Sequence, residues 1–291
     1  MEPKKTIINV GKYKFKITDN TLFAREQIYC RNFKIGGNNL DCINVSISYD
    51  SKNEPISASI PHIMYDEECS IDVPLDRGEG SIKMIKALFQ YIHLQLPSIN
   101  EVNFEDKSNI ECATECEIQK KGSRFRKKGT NVNPVPLYYF SIAFNGETWY
   151  EKHFNARQKD KNKHDKYREK INDLLHSTQF KTNTSFIEFL KIARPPMETT
   201  DELEKYYINS DTFGNFFQSI PKKDRCRLVR DWISNFMEHH LTNLFSNTGW
   251  IIELPIITKG GKQKSRKYYC PKTRIKHNIT YKDFGVDITN I

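Results

Sequence analysis

The chain contains no long apolar run. Nothing in its 291 residues approaches the roughly 18 consecutive apolar positions that a membrane-spanning helix needs. The first residues, Met1-Glu2-Pro3-Lys4-Lys5, lack the apolar core of a secretory leader, so an intracellular protein that is not secreted is expected. Cysteine is sparse and odd in number, with seven at positions 30, 42, 69, 112, 116, 226 and 270. Only Cys112 and Cys116 lie close together, and no second Cys or His pair follows at finger spacing, so no metal site is expected. Reduced thiols are the expected state. No G-x-S-x-G nucleophile elbow, no Walker A loop and no internal repeat occurs.

What the chain has is positive charge. Forty-five Lys and Arg against 36 Asp and Glu leave a net charge of +9, which favours polyanionic partners such as nucleic acid or a nucleotide cofactor. It also has 18 Phe and 14 Tyr, enough aromatic mass to build a core and to exclude wholesale disorder.

The first hundred residues read as strands. Thr6–Val10 and Tyr13–Thr18 flank a turn at Gly11, and Cys42–Tyr49 and Pro55–Ile60 alternate with period two about a polar turn, predicting two hairpins. The run Ser70-Ile71-Asp72-Val73-Pro74-Leu75 reads as a further strand. It breaks into Asp76-Arg77-Gly78-Glu79-Gly80-Ser81, after which Met84, Ile85, Leu88, Phe89, Ile92 and Leu96 repeat at helical spacing until Pro97. Glu101-Val102-Asn103-Phe104 is a second short strand, which makes 70–105 a βαβ unit. Leu137–Phe144 reads as a strand closed by Asn145-Gly146. Beyond residue 156 the pattern turns helical, over a charged stretch at 157–170 and over 184–193, 199–208 and 222–245, before strand signals return at Trp250–Ile257. Two domains are therefore expected: an α/β domain over 1–156, and a helical, basic domain over 157–291 with a terminal β-hairpin.

The glycine turn is the place where spacing suggests a ligand. Glycines at 78 and 80 permit close backbone approach, and the N–H groups of residues 78–82 sit at a helix N-terminus that favours a phosphate or pyrophosphate. Arg77 is suited to pairing with that phosphate, whereas Glu79 opposes it.

In this order the elements resemble the acyl-CoA-binding core of the GNAT superfamily of N-acyltransferases, over about residues 40–155. That family cradles the CoA pyrophosphate on a Gln/Arg-x-x-Gly-x-Gly/Ala loop. Arg77, Gly78 and Gly80 fit the loop, while Leu75 stands where the family has Gln or Arg. Tyr150-Glu151-Lys152-His153-Phe154 resembles a family segment whose Tyr protonates the departing thiolate, although it lacks that segment's glycine. The resemblance implies a GNAT-like mixed sheet in an α/β (α+β) fold and acetyl-CoA as cofactor, bound by Arg77, Gly78, Glu79, Gly80, Ser81 and Ile82. It implies an amine acceptor, with Tyr150 as acid and Glu105 or Asp106 as base. The segments Gly80–Lys86, Phe104–Ser108 and Gly146–Glu151 are also similar to proteins of large eukaryotic DNA viruses with no known activity, which implies a viral-type protein of host cytoplasm, host nucleus or virion.

Two basic segments carry the alternative, a non-enzymatic nucleic-acid-binding protein. Lys120, Lys121, Arg124, Arg126, Lys127 and Lys128 surround Phe125, and Lys262, Lys264, Arg266 and Lys267 precede Tyr268-Tyr269. Cations track phosphates and aromatic rings stack on bases.

Overall fold

A computed structural model describes residues 2–24, 27–110, 135–242, 244, 249–255 and, as a backbone strand, 286–290. The Lys120–Lys128 and Lys262–Lys267 segments, Cys112 and Cys116 lie outside the described residues. The fold is α+β: a mixed nine-stranded sheet and a mainly helical region. The chain forms two compact units. Unit 1 comprises Met1–Phe104, His153–Ala156 and Ile251–Ile291, and unit 2 comprises Glu105–Lys152 and Arg157–Trp250.

Unit 1 begins as an antiparallel meander of β1 (Lys4–Val10), β2 (Tyr13–Ala24), β3 (Gln27–Gly36), β4 (Asp41–Tyr49) and β5 (Pro55–Ile63). The first hairpin closes Val10 on Tyr13 through Gly11, whose φ of 62° needs a glycine-like conformation. Helix α1 (Glu79–Gln95) then crosses over to β6 (Glu101–Phe104), which pairs parallel to β5 with Ala58 opposite Val102. Alternation sends Phe15 and Ile17 of β2, Phe33 and Ile35 of β3 and Val45 and Ile47 of β4 into a fully buried face. Helix α1 covers β1, β2 and β3 with a stripe of Met84, Ile85, Leu88, Phe89 and Ile92. The strand Val286–Asn290 pairs antiparallel to β1, and Trp250–Glu253 lies beside β6.

Three expectations are corrected here. The βαβ unit does not start at 70–75. Those residues form no strand, because their backbone donors are used elsewhere: Ile71 N–H bonds the Lys14 carbonyl at 2.8 Å and Leu75 N–H bonds the Glu67 carbonyl at 2.9 Å. Pro74 has no N–H to offer, and β5 takes the place beside β6. The thiols are not all reduced: Cys42 and Cys69, both fully buried, form a disulfide with Cα atoms 5.9 Å apart, and Cys226 is disulfide-bonded as well. Leu137–Phe144 is a helix. An unbroken apolar run carries no period that distinguishes the two structures, and Gly146 at φ 73° closes the segment as a left-handed helix cap rather than a hairpin turn.

Unit 2 opens with a two-residue ladder pairing Ile110 with Val135. Helix α2 (Leu137–Asn145) follows, then α3 (Trp149–Phe154), whose last residues belong to unit 1. The further helices among the described residues are α4 (Lys161–His176), α5 (Thr178–Asn183), α6 (Phe186–Ala193), α7 (Met197–Ile208), α8 (Phe213–Ser219), α9 (Arg225–Val229) and α10 (Ile233–Leu241). Asp160, Ser177, Ser185 and Thr212 cap α4, α5, α6 and α8 through side-chain oxygens. The core is aromatic. Phe189, Phe216, Trp232 and Phe236 are wholly buried in ring-to-ring contact.

Candidate functional site

The sequence-designated residues fall into two groups, one in each unit. In unit 1 the connection from β5 to α1 is tied down before it reaches the glycine turn. The disulfide fixes it to β4, Ser70 Oγ bonds the Lys14 carbonyl at 3.2 Å, and Tyr65 OH donates to the Leu75 carbonyl at 2.9 Å. Gly78, at φ 88°, precedes the first residue of α1 and offers no side-chain cap, and the first-turn N–H groups of the helix have no partner within it. Gly80 has a packing reason. A Cβ there would meet Leu75 Cδ1 at 2.9 Å and the Tyr13 ring at 3.2 Å. Leu75, the misfit to the family loop, is thus the buried residue that Gly80 accommodates.

The charges of the turn are mostly paired. Asp76 accepts from Lys12 Nζ and from Tyr13 OH, each at 2.6 Å, and these bonds hold its carboxyl below the usual carboxylate range. Glu79 pairs with Lys83 at 2.7 Å, which lowers it likewise and turns the awkward carboxylate toward its own helix. Arg77 is exposed, its guanidinium 4.9 Å from the centre of the Tyr65 ring, and it makes no ion pair with a carboxylate among the described residues.

In unit 2 the structure brings together two of the three proposed acid–base residues. Asp106 follows β6 directly and accepts a bond from Ser108 N–H at 3.1 Å. Ser108 Oγ lies 3.2 Å from the Tyr150 hydroxyl, across 42 positions of sequence. Burial pushes Asp106 up to about 6; the bonds from Ser108 oppose that rise, and the charge of Glu151 adds to it. Burial, then the Asp106 charge, push the Tyr150 phenol up as well, so it stays protonated through neutral pH. Glu105 does not join them. It is exposed and paired with Lys107 at 2.5 Å.

A second carboxylate sits nearby in a different environment. Glu151 is buried and accepts from Thr148 N–H at 2.7 Å and from Tyr167 OH at 2.7 Å, with Arg168 at 3.4 Å. Thr148 Oγ1 accepts Glu151 N–H at 3.2 Å in return, a reciprocal capping box that starts α3 and aims Tyr150. Glu151 is therefore held by three partners, whereas among the described residues Asp106 is bonded through Ser108. Sequence reasoning missed Ser108, Tyr167 and Arg168; the Thr148-x-x-Glu151 spacing was the one available signal.

Helix α4 carries an exposed basic row. Lys161, Lys163, Lys166 and Lys170 are exposed, interleaved with the exposed Asp165 and Glu169, and none of these lysines forms an ion pair among the described residues. No three His, Cys, Asp or Glu side chains are placed to hold a metal ion among the described residues, and no helix there is long and apolar enough to cross a membrane. Comparison with protein-family models, with curated proteins and with solved structures gives no match.

Proposed function

We propose that the chain is an acyl-CoA-dependent N-acyltransferase with a primary-amine acceptor. The observation that carries this reading is the Asp106–Ser108–Tyr150 set: a carboxyl pushed up to about 6 that accepts the Ser108 N–H, and a phenol bonded to the Ser108 hydroxyl that is pushed up and stays protonated. Direct acyl transfer from a thioester to an amine needs one group of each kind. Asp106 takes the acceptor proton and Tyr150 protonates the CoA sulfur. Taken by itself, the turn of unit 1 has uncapped N–H groups and an exposed Arg77, which suit a pyrophosphate.

Thiol release from acetyl-CoA with a panel of primary amines tests it. The rate is expected to rise with pH through an apparent pKa near 6, and Asp106→Asn or Tyr150→Phe to lower kcat by about 100-fold. Absence of acetyl-CoA binding at millimolar concentration in calorimetry overturns it.

The second reading, a nucleic-acid-binding protein, is favoured by the lysine row of α4 and the net charge of +9. It predicts DNA affinity that falls steeply with salt. Lys163→Glu, Lys166→Glu and Lys170→Glu together are expected to reduce the slope of log affinity against log salt by about 3. An unchanged slope removes α4 from the interface.

A further inference from the structure

We propose that this chain matures in an oxidising lumen and carries an N-linked oligosaccharide on Asn183. The inference does not depend on the acyl-transfer reading. It rests on two independent observations, one from sulfur chemistry and one from a surface tripeptide. The first is the disulfides. Cys42 lies in β4 and Cys69 in the turn Glu67–Cys69, and their bond joins two side chains that are both fully buried. Cys226, in α9 of unit 2, is disulfide-bonded as well, so sulfur of both units is oxidised. A glutathione-reduced compartment keeps such cysteines as thiols, whereas an oxidising lumen pairs them. Each pair of thiols gives up two protons and two electrons, and the disulfide of a lumenal oxidoreductase takes them up and becomes a dithiol.

The second observation is Asn183-Thr184-Ser185, which has the Asn-x-Ser/Thr form of a glycan acceptor. Asn183 is the last residue of α5, and both Asn183 and Ser185 are exposed. The backbone that follows is extended, at φ −103° and ψ 98° for Thr184 and φ −63° and ψ 161° for Ser185. The tripeptide therefore runs from one helix to the next as extended surface chain. Ser185 Oγ accepts Glu188 N–H at 3.1 Å as the cap of α6, a bond that uses the oxygen and not the hydroxyl proton. The same form occurs twice more. Asn44-Val45-Ser46 lies in β4, where Asn44 is half-buried with its Oδ1 shielded from solvent, and Ser46 Oγ donates to Asn32 Oδ1 at 2.7 Å. A bulky glycan does not fit that position. Asn278-Ile279-Thr280 lies outside the described residues. In the transfer, the Asn183 amide nitrogen bonds to the anomeric carbon of a lipid-linked oligosaccharide while the bond from that carbon to the lipid pyrophosphate breaks. The amide gives one proton to a base of the transferase, and the lipid pyrophosphate leaves with the electron pair.

Two measurements on the full chain, recovered from the cells that make it naturally, test the proposal. In the first, peptide N-glycosidase is applied in heavy-oxygen water, which converts a glycosylated Asn to a labelled Asp. The label is expected at position 183 and absent at position 44. An Asn183 peptide found at its unmodified mass overturns the site, whatever the state of the other two tripeptides. In the second, the protein is alkylated without reductant and digested. The Cys42 and Cys69 peptides are expected to be joined to each other, and Cys30, the free cysteine among the described residues, to be alkylated. Alkylated Cys42 and Cys69 overturn the oxidising lumen. A variant gives a further check on the same chain. Asn183→Gln is expected to lose one endoglycosidase-sensitive step in electrophoretic mobility and to keep the wild-type circular dichroism, because the position is exposed. Asn183→Gln protein that migrates as wild type does, before and after endoglycosidase, also overturns the site. None of these readouts involves an acyl donor, so their failure and the failure of acyl transfer are separate results.

Discussion

At the scale of single residues, Asp106 is where the proposed function and stability pull apart. Its folded-state pKa is raised to about 6 from an ordinary 3.8, so between those values the folded chain keeps a proton that the unfolded chain has released. Stability therefore falls as pH rises through that window, and the loss is complete above about pH 6. Asp106→Asn keeps an oxygen for Ser108 N–H and removes the buried charge. The variant is expected to be more stable than wild type by about 1–2 kcal/mol at pH 7 and equally stable at pH 3.5, by urea unfolding at both values. A variant that loses activity while gaining stability marks a residue kept for chemistry. Asp106 and Tyr150 were legible in the sequence, through the strand that ends at Phe104 and the segment Tyr150–Phe154. Ser108 was not, because no local spacing reports that a hydroxyl meets a phenol 42 residues away. The pair of Arg31 with Asp19, a doubled bond at 2.8 and 2.5 Å, hid β3 in the same way. A buried ion pair puts charges where alternation expects apolar side chains.

Among the elements, legibility followed period. The hairpins β1–β2 and β4–β5 alternate with period two, α1 repeats at 3.6 residues, and each lies where its pattern predicts. Runs with no usable period misled in both directions: Leu137–Phe144 folds as a helix, and 70–75 folds as neither helix nor strand. The turn before α1 shows how a sequence signal can be right in place and different in cause. Gly78 is required by its backbone angle and Gly80 by Leu75 and Tyr13. Gly80→Ala forces a methyl group to within 2.9 Å of Leu75 Cδ1. It is expected to cost about 1–3 kcal/mol in thermal or urea unfolding, whereas Leu75→Ala in the same background should recover part of that loss by making room. A Gly80→Ala protein as stable as wild type would show that the turn relaxes freely.

At the scale of the whole molecule, the glycine turn lies in unit 1, and Asp106, Ser108 and Tyr150 lie in unit 2. The sheet of unit 1 has a further consequence for how the chain is made. Its central strands come from the first 104 residues, but the strands that flank it, Val286–Asn290 against β1 and Trp250–Glu253 beside β6, come from the far end of the sequence. Neither outer ladder can form until its distant segment has been made, roughly 7–40 s after Phe104 has been polymerised. For that interval β1 and β6 offer bare hydrogen-bonding edges on the nascent chain. The last strands therefore act as the closing clasps of a sheet begun at the first residues, and the time spent unclasped is the period in which this chain is most exposed to wrong partners.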